Sequence, residues 1–457
     1  MFVLILFVSC AITTPYQRPA NLPLNGLFRA PFSDSTRNYA SVPVSAFYND
    51  SLLQNLITEA LDSNIDVRLA LNRLAQAAEY VKQSKAAFFP TLNFGLSQSV
   101  SNVSKYGNST YPNNPPITEL KLAATTSWEA DIWGKLSSIK RSQQAQYLEQ
   151  EAAVRAIQTQ IVATVASAYY QLITLDRQKS VTEQSIDNYT TYLQTVETMK
   201  QSAQVNEVAV LQAKAQLASA KAYLPQINAS IAAEENNICL LLGKTPAPVE
   251  RSDTYDLTIF HAELMTVGIP AQLLSNRPDV QAAEYALCAS HEMFNAARAA
   301  MYPQLTLTGA IGPDAKGLSN WLNMPGSLLW NAMLGLAQPV FNGRTLKTQK
   351  EIAKLQQDAA FLQFKQTLLN AGNEVSNALA AIHFTSQQAI YQKEQVDALK
   401  TAYEYSQELL VNGYATYLDV LSAQTNALTN ELSLYETYNN IIQQKIILYR
   451  ALGGGWK

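Results

Sequence analysis

Two stretches of this chain repeat one pattern, and that repetition limits the folds that the chain can adopt. AAFFPTLNFGLSQSV begins at Ala86, and AAMYPQLTLTGAIG begins at Ala299. Each stretch ends a helix-like run, places a proline, and then alternates apolar residues at every second position. Pro90 and Pro303 cannot continue a helix and push the preceding residue toward extended geometry. The pattern predicts a helix that passes directly into a strand, twice in one chain.

Further matches in the same order indicate an internal tandem duplication, at offsets between 209 and 213 residues. The matched positions are Asn64, Asp66 and Val67 with Asn276, Asp279 and Val280; ADIWGK at Ala130 with PVFNGR at Pro339; and LLLGK at Leu240 with ALGGG at Ala451. The predicted organisation is a signal and lipobox segment at 1–10, an extended segment at 11–49, a first repeat at 50–250 and a second repeat at 251–457.

Each predicted repeat has a helix, two strands and a long helical region. The helices are expected at about 50–88 and 269–301, the first strands at about 91–104 and 304–312, and the second strands at about 119–132 and 328–341. Trp133, Gly134, Asn342 and Gly343 are the predicted strand-to-helix turns. Strands of about ten residues have the length that a tilted strand needs to cross a bilayer. A sheet packed on a soluble core would alternate in the same way, so both alternatives stay open.

Heptad spacing in the long helical regions predicts coiled-coil packing. The apolar series are Val210, Leu217, Leu224, Ile231 and Ile238 in the first repeat, and Val420, Ala427, Leu434, Ile441 and Leu448 in the second. The helical run at 136–200 would be roughly 95 Å long at 1.5 Å per residue. On periodicity alone, an elongated structural coiled coil is as good an interpretation as a tube of helices.

Charge and cysteine usage narrow the functional class. Charged residues make up 15% of the chain and the net charge is −3, so the chain lacks the excess of positive charge that binds nucleic acid. Cys10 follows the apolar segment MFVLILFVS, which is typical of a signal peptide that ends at a lipidated cysteine; a plain cleaved or incomplete signal is the alternative. His261, His291 and His383 are isolated, so we expect no metal site, no cofactor and no enzymatic activity.

Four strands per chain cannot close a barrel, and an open sheet edge in lipid would leave backbone groups without hydrogen-bond partners. Closure therefore requires several copies, and three copies supply twelve strands. The predicted fold is mainly α with a membrane β-barrel: a homotrimer with a 12-stranded barrel in the membrane, continuous with a long α-helical coiled-coil barrel.

The motifs resemble those of the TolC-like outer membrane factors, in particular the lipoprotein branch of resistance–nodulation–division efflux systems. The resembling stretches are PYQRP after Cys10, WEADIWGK at 128–135, LLSNRPDVQAAE at 273–284, PVFNGR at 339–344 and GYATYLDVLSAQ at 413–424. The resemblance implies a passive trimeric duct, anchored by lipid at Cys10. It also implies three kinds of partner: outer-membrane lipid, a periplasmic adaptor and an inner-membrane transporter of that class.

The same resemblance implies a gate at the periplasmic tip, where the helical hairpins of the second repeat close together. The family's lipoprotein branch carries an acidic residue one turn into the returning helix, and Ser422 occupies that position here. Either Asp419 takes the acidic role or apolar packing of leucines seals the tip. The predicted tip residues are Leu409, Leu410, Gly413, Leu418, Asp419 and Ser422.

Two rival functions remain at this point. A duct for protein secretion by a dedicated exporter would share the architecture. A trimeric coiled-coil scaffold or adhesin with a barrel anchor belongs to another class, and the split of the strands between the two repeats argues against it. No cargo can be read from the sequence.

Overall fold

The computed structural model describes residues 12–24, 26–28, 42–102, 117–253, 272–316 and 318–456. Within them the chain is mainly helical and contributes four strands, as predicted. The elements are α1 (Val44–Phe47), α2 (Ser51–Ser63), α3 (Ile65–Ala86), β1 (Thr91–Ser101), β2 (Ile117–Ala130), α4 (Lys135–Gln201), α5 (Glu207–Leu241), α6 (Leu273–Asn276), α7 (Pro278–Ala299), β3 (Gln304–Lys316), β4 (Leu328–Ala337), α8 (Thr345–Val411) and α9 (Tyr417–Ala451).

The two repeats produce elements of equal length in the same order. The first long helices, α4 and α8, both have 67 residues. The returning helices, α5 and α9, both have 35 residues, and α5 continues through Pro225. The loops that connect each pair of helices, residues 202–206 and 412–416, also have the same length. The sequence repeat therefore corresponds to a structural repeat.

Both helices predicted ahead of the first strands are interrupted. The run at 50–88 is two helices, α2 and α3, because Asn64 has extended geometry and its Oδ1 accepts hydrogen bonds from the backbone N–H groups of Asp66 (2.9 Å) and Val67 (3.2 Å). In the run at 269–301, residues 269–271 lie outside the described part; the remainder breaks at Arg277, after which Pro278 begins α7. Side-chain capping and proline at the first helical position are both strong start signals.

The strands differ from their predicted limits by a few residues. β2 starts two residues before the predicted 119 and ends two before 132, and β3 continues four residues beyond 312. β4 ends at Ala337, short of 341, because Pro339 has no N–H to donate to a strand ladder. β1 ends at Ser101; residues 103 and 104, which were predicted to extend it, lie outside the described part.

The chain forms two compact units. The first comprises residues 1–20, 74–150 and 283–364, and the second comprises 21–73, 151–282 and 365–457. The first unit contains the antiparallel sheet, in the order β1-β2-β3-β4. The β2–β3 pairing, which includes Trp128 opposite Leu307, joins a strand of one repeat to a strand of the other.

The second unit buries the predicted heptad positions. Val210, Leu217, Ile231 and Ile238 are buried and Leu224 is half-buried, while Val420, Ala427, Leu434, Ile441 and Leu448 are all buried. A tyrosine-rich core packs beside them. The ring of Phe47 stacks on Tyr449 at 4.0 Å, and the Tyr169 hydroxyl donates to Asp50 Oδ2 at 2.5 Å.

Arg277 fastens the start of the second repeat to the end of α9. Its side chain is 8% exposed, and its guanidinium donates to both carboxylate oxygens of Asp279 (3.0 and 2.6 Å), to Glu374 Oε2 (2.9 Å) and to the Ala451 carbonyl (3.0 Å). Burial alone would raise the pKa of Asp279, but the hydrogen bonds and charge of Arg277 outweigh it and hold that pKa below its usual range.

Candidate functional site

The register of the sheet places its apolar side chains on one face. Phe94 stands opposite Ala124, which stands opposite Ile311, which stands opposite Trp330. Directly opposed residues of antiparallel strands project to the same side, so each such row runs across the whole sheet. This apolar face carries Leu92, Phe94, Leu96, Leu122, Ala124, Trp128, Leu305, Leu307, Ile311, Trp330, Leu334 and Leu336.

The opposite face of the sheet is mainly polar. Lys121 stands opposite Asp314, and Glu119 stands opposite Lys316, so charges of opposite sign are paired across β2 and β3. The remaining polar positions include Asn93, Ser97, Ser99, Thr125, Ser127, Thr306, Thr308 and Asn331, with Leu329 and Met333 as exceptions. One surface of the sheet is therefore suited to water and the other to an apolar environment.

The described part of the chain leaves the apolar face uncovered. Phe94 is 76% exposed and Trp330 is 71% exposed. A sheet packed on a soluble core would bury this face, so that alternative does not fit the structure. Contiguous exposed apolar surface of this kind marks a site of contact with lipid or with another protein.

The sheet also has two edges that the described residues do not pair. In the order β1-β2-β3-β4, β1 pairs only with β2, and β4 pairs only with β3. The outer edges of β1 and β4 thus carry backbone donors and acceptors that can pair with another strand.

Pro90 and Pro303 lie at equivalent helix-to-strand junctions. Each follows a single further turn beyond its helix and directly precedes its strand. The Pro303 carbonyl accepts a hydrogen bond from Trp133 Nε1 at 2.7 Å, and the Trp133 ring lies 5.1 Å from the Tyr302 ring. The tryptophan of the β2–α4 turn therefore fixes the junction that leads into β3.

The β2–α4 turn depends on a residue that sequence reasoning missed. The Asp131 carboxylate accepts hydrogen bonds from the N–H groups of Leu136 (2.9 Å) and Ser137 (2.8 Å), and from the Ser137 hydroxyl (2.6 Å). It therefore satisfies two of the free N–H groups at the start of α4. Gly134 has φ +77°, and an added Cβ would lie 3.2 Å from Thr13.

The corresponding β4–α8 turn is built differently. Gly343 has φ +61°, and the Asn342 carbonyl accepts from the Thr345 hydroxyl at 2.8 Å. Val340 occupies the position of Asp131, so this helix lacks the carboxylate cap. Val340 and Phe341 are 97% and 90% exposed.

The two helical hairpins end in loops of the same design. In the α8–α9 loop, Gly413 has φ +78°, and the Tyr414 N–H donates to the Leu409 carbonyl at 2.8 Å. In the α4–α5 loop, Ala203 occupies the glycine position with φ 57°, and the Gln204 N–H donates to the Met199 carbonyl at 2.9 Å. Both follow the Schellman pattern, in which a left-handed residue closes the helix.

Only one of the three predicted tip leucines is buried. Leu410 belongs to an apolar cluster formed by all four long helices, whereas Leu409 and Leu418 are about half exposed, at 44% and 50%. The other buried members of this hairpin-end cluster are Val181, Tyr189, Tyr192, Val196, Ala209, Val210, Ala213, Leu217, Ala220, Val420, Leu421 and Leu428.

Asp419 forms a capping box at the start of α9. Its Oδ2 accepts from the Thr416 N–H (2.8 Å) and from the Thr416 hydroxyl (2.7 Å). These hydrogen bonds, the hydroxyl first, hold the pKa of Asp419 below its usual value. Ser422 is exposed and lies on the next turn.

Cys10, the predicted lipid anchor, lies outside the described residues. The segment that follows it packs on α7 within the first unit. Arg18 forms two hydrogen bonds to the Glu284 carboxylate (2.6 and 2.7 Å), and Asn295 Nδ2 donates to the Thr14 carbonyl at 2.9 Å. Burial of the Cys288 thiol beside this segment raises its pKa to about 11.

No helix in the described ranges combines the length and apolar character that crossing a membrane would require. The same ranges bring no three His, Cys, Asp or Glu side chains together in an arrangement that could hold a metal ion.

Comparison with known proteins gives a family match in each repeat. The model of the outer membrane efflux protein family matches residues 56–244 and 269–454. The cation efflux system protein CusC of Escherichia coli O6:H1 (strain CFT073) is 28% identical over 462 residues, covering 100% of this chain and 98% of CusC. The solvent efflux pump outer membrane protein SrpC of Pseudomonas putida is 28% identical over 463 residues, covering 100% of this chain and 97% of SrpC.

The comparison with solved structures finds the same group of proteins. A structure of CusC, from a study of its folding and transmembrane channel formation, superimposes with a TM-score of 0.87 at 27% identity and covers 98% of this chain and 100% of that one.

Proposed function

Because this chain belongs to the outer membrane efflux protein family, it is an outer-membrane efflux channel component, and we propose that three copies of it assemble into the channel. The observation that carries this proposal is the four-stranded sheet, with one apolar face, one polar face and two unpaired edges. Pairing the β4 edge of each copy with the β1 edge of the next closes twelve strands into a barrel without free edges.

In this assembly the apolar face contacts lipid and the polar face lines the water-filled lumen. Aromatic side chains at the junction end of the sheet support the placement. Phe89 precedes β1, Phe341 follows β4, and both are largely exposed. Trp128 lies near the same end, because Ser127 stands opposite Thr91. Aromatic residues concentrate where a membrane protein leaves the hydrocarbon region.

Exposed residues on α8 supply a contact between helices of neighbouring copies. Within the second unit, Phe384, Tyr391 and Tyr405 follow a heptad spacing and are 66%, 71% and 62% exposed. Rows of this kind are seams that a partner helix covers. Packing of α8 on the next copy would complete a tube of helices in the periplasm.

The remaining partners follow from the family and the resemblance. We propose that the duct is passive and joins an inner-membrane transporter of the resistance–nodulation–division class through a periplasmic adaptor. The named relatives serve cation efflux in one case and solvent efflux in the other, at equal identity to this chain. Identity to relatives therefore does not assign a cargo.

We propose that Cys10 carries the lipid anchor. Mass spectrometry of the mature protein should find Cys10 as its first residue, with diacylglyceryl and acyl groups attached. A mature chain that begins elsewhere, or that begins at an unmodified Cys10, would refute the anchor and leave the channel proposal intact.

For the tip, we propose closure by apolar packing around Leu410 in place of a ring of carboxylates. The support is that the Asp419 carboxylate is already engaged by Thr416 of its own helix. Leu409 and Leu418 remain exposed within the chain, so they are free to meet neighbouring copies.

Two adjacent residues of β4 test the orientation of the sheet. Leu334 lies on the apolar face and Met333 on the polar face, and they are 68% and 64% exposed. A lysine facing lipid near the bilayer midplane costs about 2–4 kcal/mol, whereas one facing the lumen mainly changes ion selectivity. We expect Leu334→Lys to reduce insertion into planar bilayers, and Met333→Lys to insert normally with a shift toward anion selectivity.

Wild-type protein should insert as a trimer with a small, asymmetric conductance. Protein that neither fractionates with outer membrane nor conducts would refute the channel assembly. Equal behaviour of the two lysine variants would instead show that the faces are assigned wrongly.

A further inference from the structure

The second unit contains a polar cavity, apart from the sheet and the hairpin ends described above. It has a volume of about 450 Å³ and lies between α4, α5 and α9, in the size range of small-molecule sites, about 300–1,000 Å³. Its walls are mostly uncharged amides and hydroxyls. They comprise Gln171, Thr174, Gln178, Tyr223, Gln226, Ser230, Asn439 and Asn440, with Leu175, Ile227, Leu432 and the single carboxylate of Glu436.

A chain of hydrogen bonds fixes two of the amides. Gln443 Nε2 donates to the Ser167 carbonyl (2.9 Å) and to Asn439 Oδ1 (3.3 Å), and Asn439 Nδ2 donates to Gln171 Oε1 (2.6 Å). Because the Gln171 oxygen already accepts from Asn439, the Gln171 NH₂ group is left as a donor for a ligand. Asn439 is buried, so this network is held rigidly.

Two further side chains provide acceptors. Gln178 is buried and uses its Nε2 in a long bond to the Leu432 carbonyl (3.4 Å), which leaves its Oε1 to accept. The buried Thr174 hydroxyl donates to the Tyr170 carbonyl (2.8 Å), which leaves its lone pairs to accept. The lining thus offers both donors and acceptors, and its one charged residue is Glu436.

From this lining we propose that the cavity binds a neutral N-acetylated amino sugar. Hydroxyl groups both donate and accept, so they match a wall that offers both functions, while a charged ligand would find no counter-charge apart from Glu436. The Tyr223 ring, 40% exposed, supplies a face for a sugar ring. Leu175, Ile227 and Leu432 supply an apolar patch for the acetyl methyl group.

The sugar would be a stationary ligand of the helical wall, distinct from any cargo in the duct. It can come from a free saccharide or from the end of a glycan polymer, and both sources present the same chemistry. A polymer source would make the cavity a tether between the protein and that polymer.

The test measures binding of N,N′-diacetylchitobiose to the full-length protein in detergent, by saturation-transfer difference NMR, with cellobiose as the comparison lacking acetamido groups. We expect saturable binding with a Kd on the order of 1 mM and at least about tenfold weaker binding of cellobiose. Tyr223→Ala and Gln226→Ala, both at exposed positions of α5, should weaken binding about tenfold. Tyr414→Ala, an exposed tyrosine remote in sequence from the cavity, should not.

No saturable binding, equal binding of the two disaccharides, or full binding by the Tyr223 and Gln226 variants would overturn the proposal. Sedimentation with an insoluble N-acetylglucosamine polymer, reversed by the disaccharide, would identify a polymer as the source. Binding of the disaccharide without such sedimentation would identify a free sugar. Bilayer conductance is measured on the same preparation, so a failed sugar test is distinguishable from a failed channel assembly.

Discussion

Replacing Arg277 with alanine tests how the start of α7 is held to the end of α9 within the second repeat. The substitution removes four hydrogen bonds at 2.6–3.0 Å, three of them to the carboxylates of Asp279 and Glu374 and one to the Ala451 carbonyl. It also removes the positive charge that faces Asp279, whereas Glu374 keeps a second cation, Arg450, at 3.7 Å. Removing one partner of a buried ion pair costs about 3–5 kcal/mol, because the other charge is left without compensation.

The structure places the expected loss at the lower end of that range. The Asp279 and Glu374 side chains are 41% and 37% exposed, so water can replace part of what the guanidinium supplied. The Ala451 carbonyl is left unsatisfied, which adds to the loss. We therefore expect Arg277→Ala to lower the free energy of unfolding by about 3 kcal/mol. Arg277→Lys keeps the positive charge but lacks the planar guanidinium that binds a carboxylate through two N–H groups. It should lower the free energy of unfolding by about half as much.

The assay is denaturant unfolding of the detergent-purified protein, followed by circular dichroism. Lys393→Ala provides the matched control, because it breaks an ion pair with Asp397 in which both side chains are largely exposed, and it should leave the unfolding midpoint unchanged. An Arg277→Ala protein as stable as the wild type would refute the reasoning, since the buried contacts would then contribute nothing.

Three other predictions concern the hairpin ends and the Arg277 site. Gly413→Ala should lower the free energy of unfolding by about 1 kcal/mol, and Ala203→Gly should raise it by a similar amount, because both positions have positive φ; shifts in the same direction would contradict this. Asp419→Asn should leave the closed conductance unchanged, and an increase would show that the carboxylate acts across copies. The pKa of Asp279 is lower in the folded protein than in the unfolded chain. The contribution of the Asp279 carboxylate to folding stability is therefore complete above the unfolded pKa of about 3.9 and is lost as the pH falls toward the pKa of the folded protein. Wild type should therefore lose more stability than Arg277→Ala between about pH 6 and pH 3, and equal losses would exclude the ion pair as the cause.

The features of the fold that depend on a regular spacing of apolar residues could be predicted from the sequence. The duplication, the four strands and the buried heptad positions all follow from spacings of two or seven residues, which are set by backbone geometry. Leu434 and Ile441 illustrate this, because their burial was predicted from spacing alone and is confirmed. The helix-proline-strand pattern at Pro90 and Pro303 is also where the strands begin.

Features that depend on single side chains were harder to predict. The breaks at Asn64 and Arg277 interrupt runs whose apolar pattern continues through them. Asp131 caps a helix that starts four residues later, which is outside the usual spacing of a capping residue. The capping box of Thr416 and Asp419, by contrast, has a Thr-x-x-Asp pattern from which it could have been predicted. The sugar cavity could not be predicted, since its walls come from three helices far apart in sequence.

The open edges of the sheet have a consequence for how the protein is made. A newly exported chain carries two unsatisfied strand edges and a broad apolar face before it meets its partners, and such species aggregate readily. If three copies assemble as proposed, we expect β1 and β4 to need shielding, by a chaperone or by delayed folding, until the copies meet at the membrane. The heptad positions between the long helices are already buried within one chain, so that part of the fold can form before the sheet pairs with other copies.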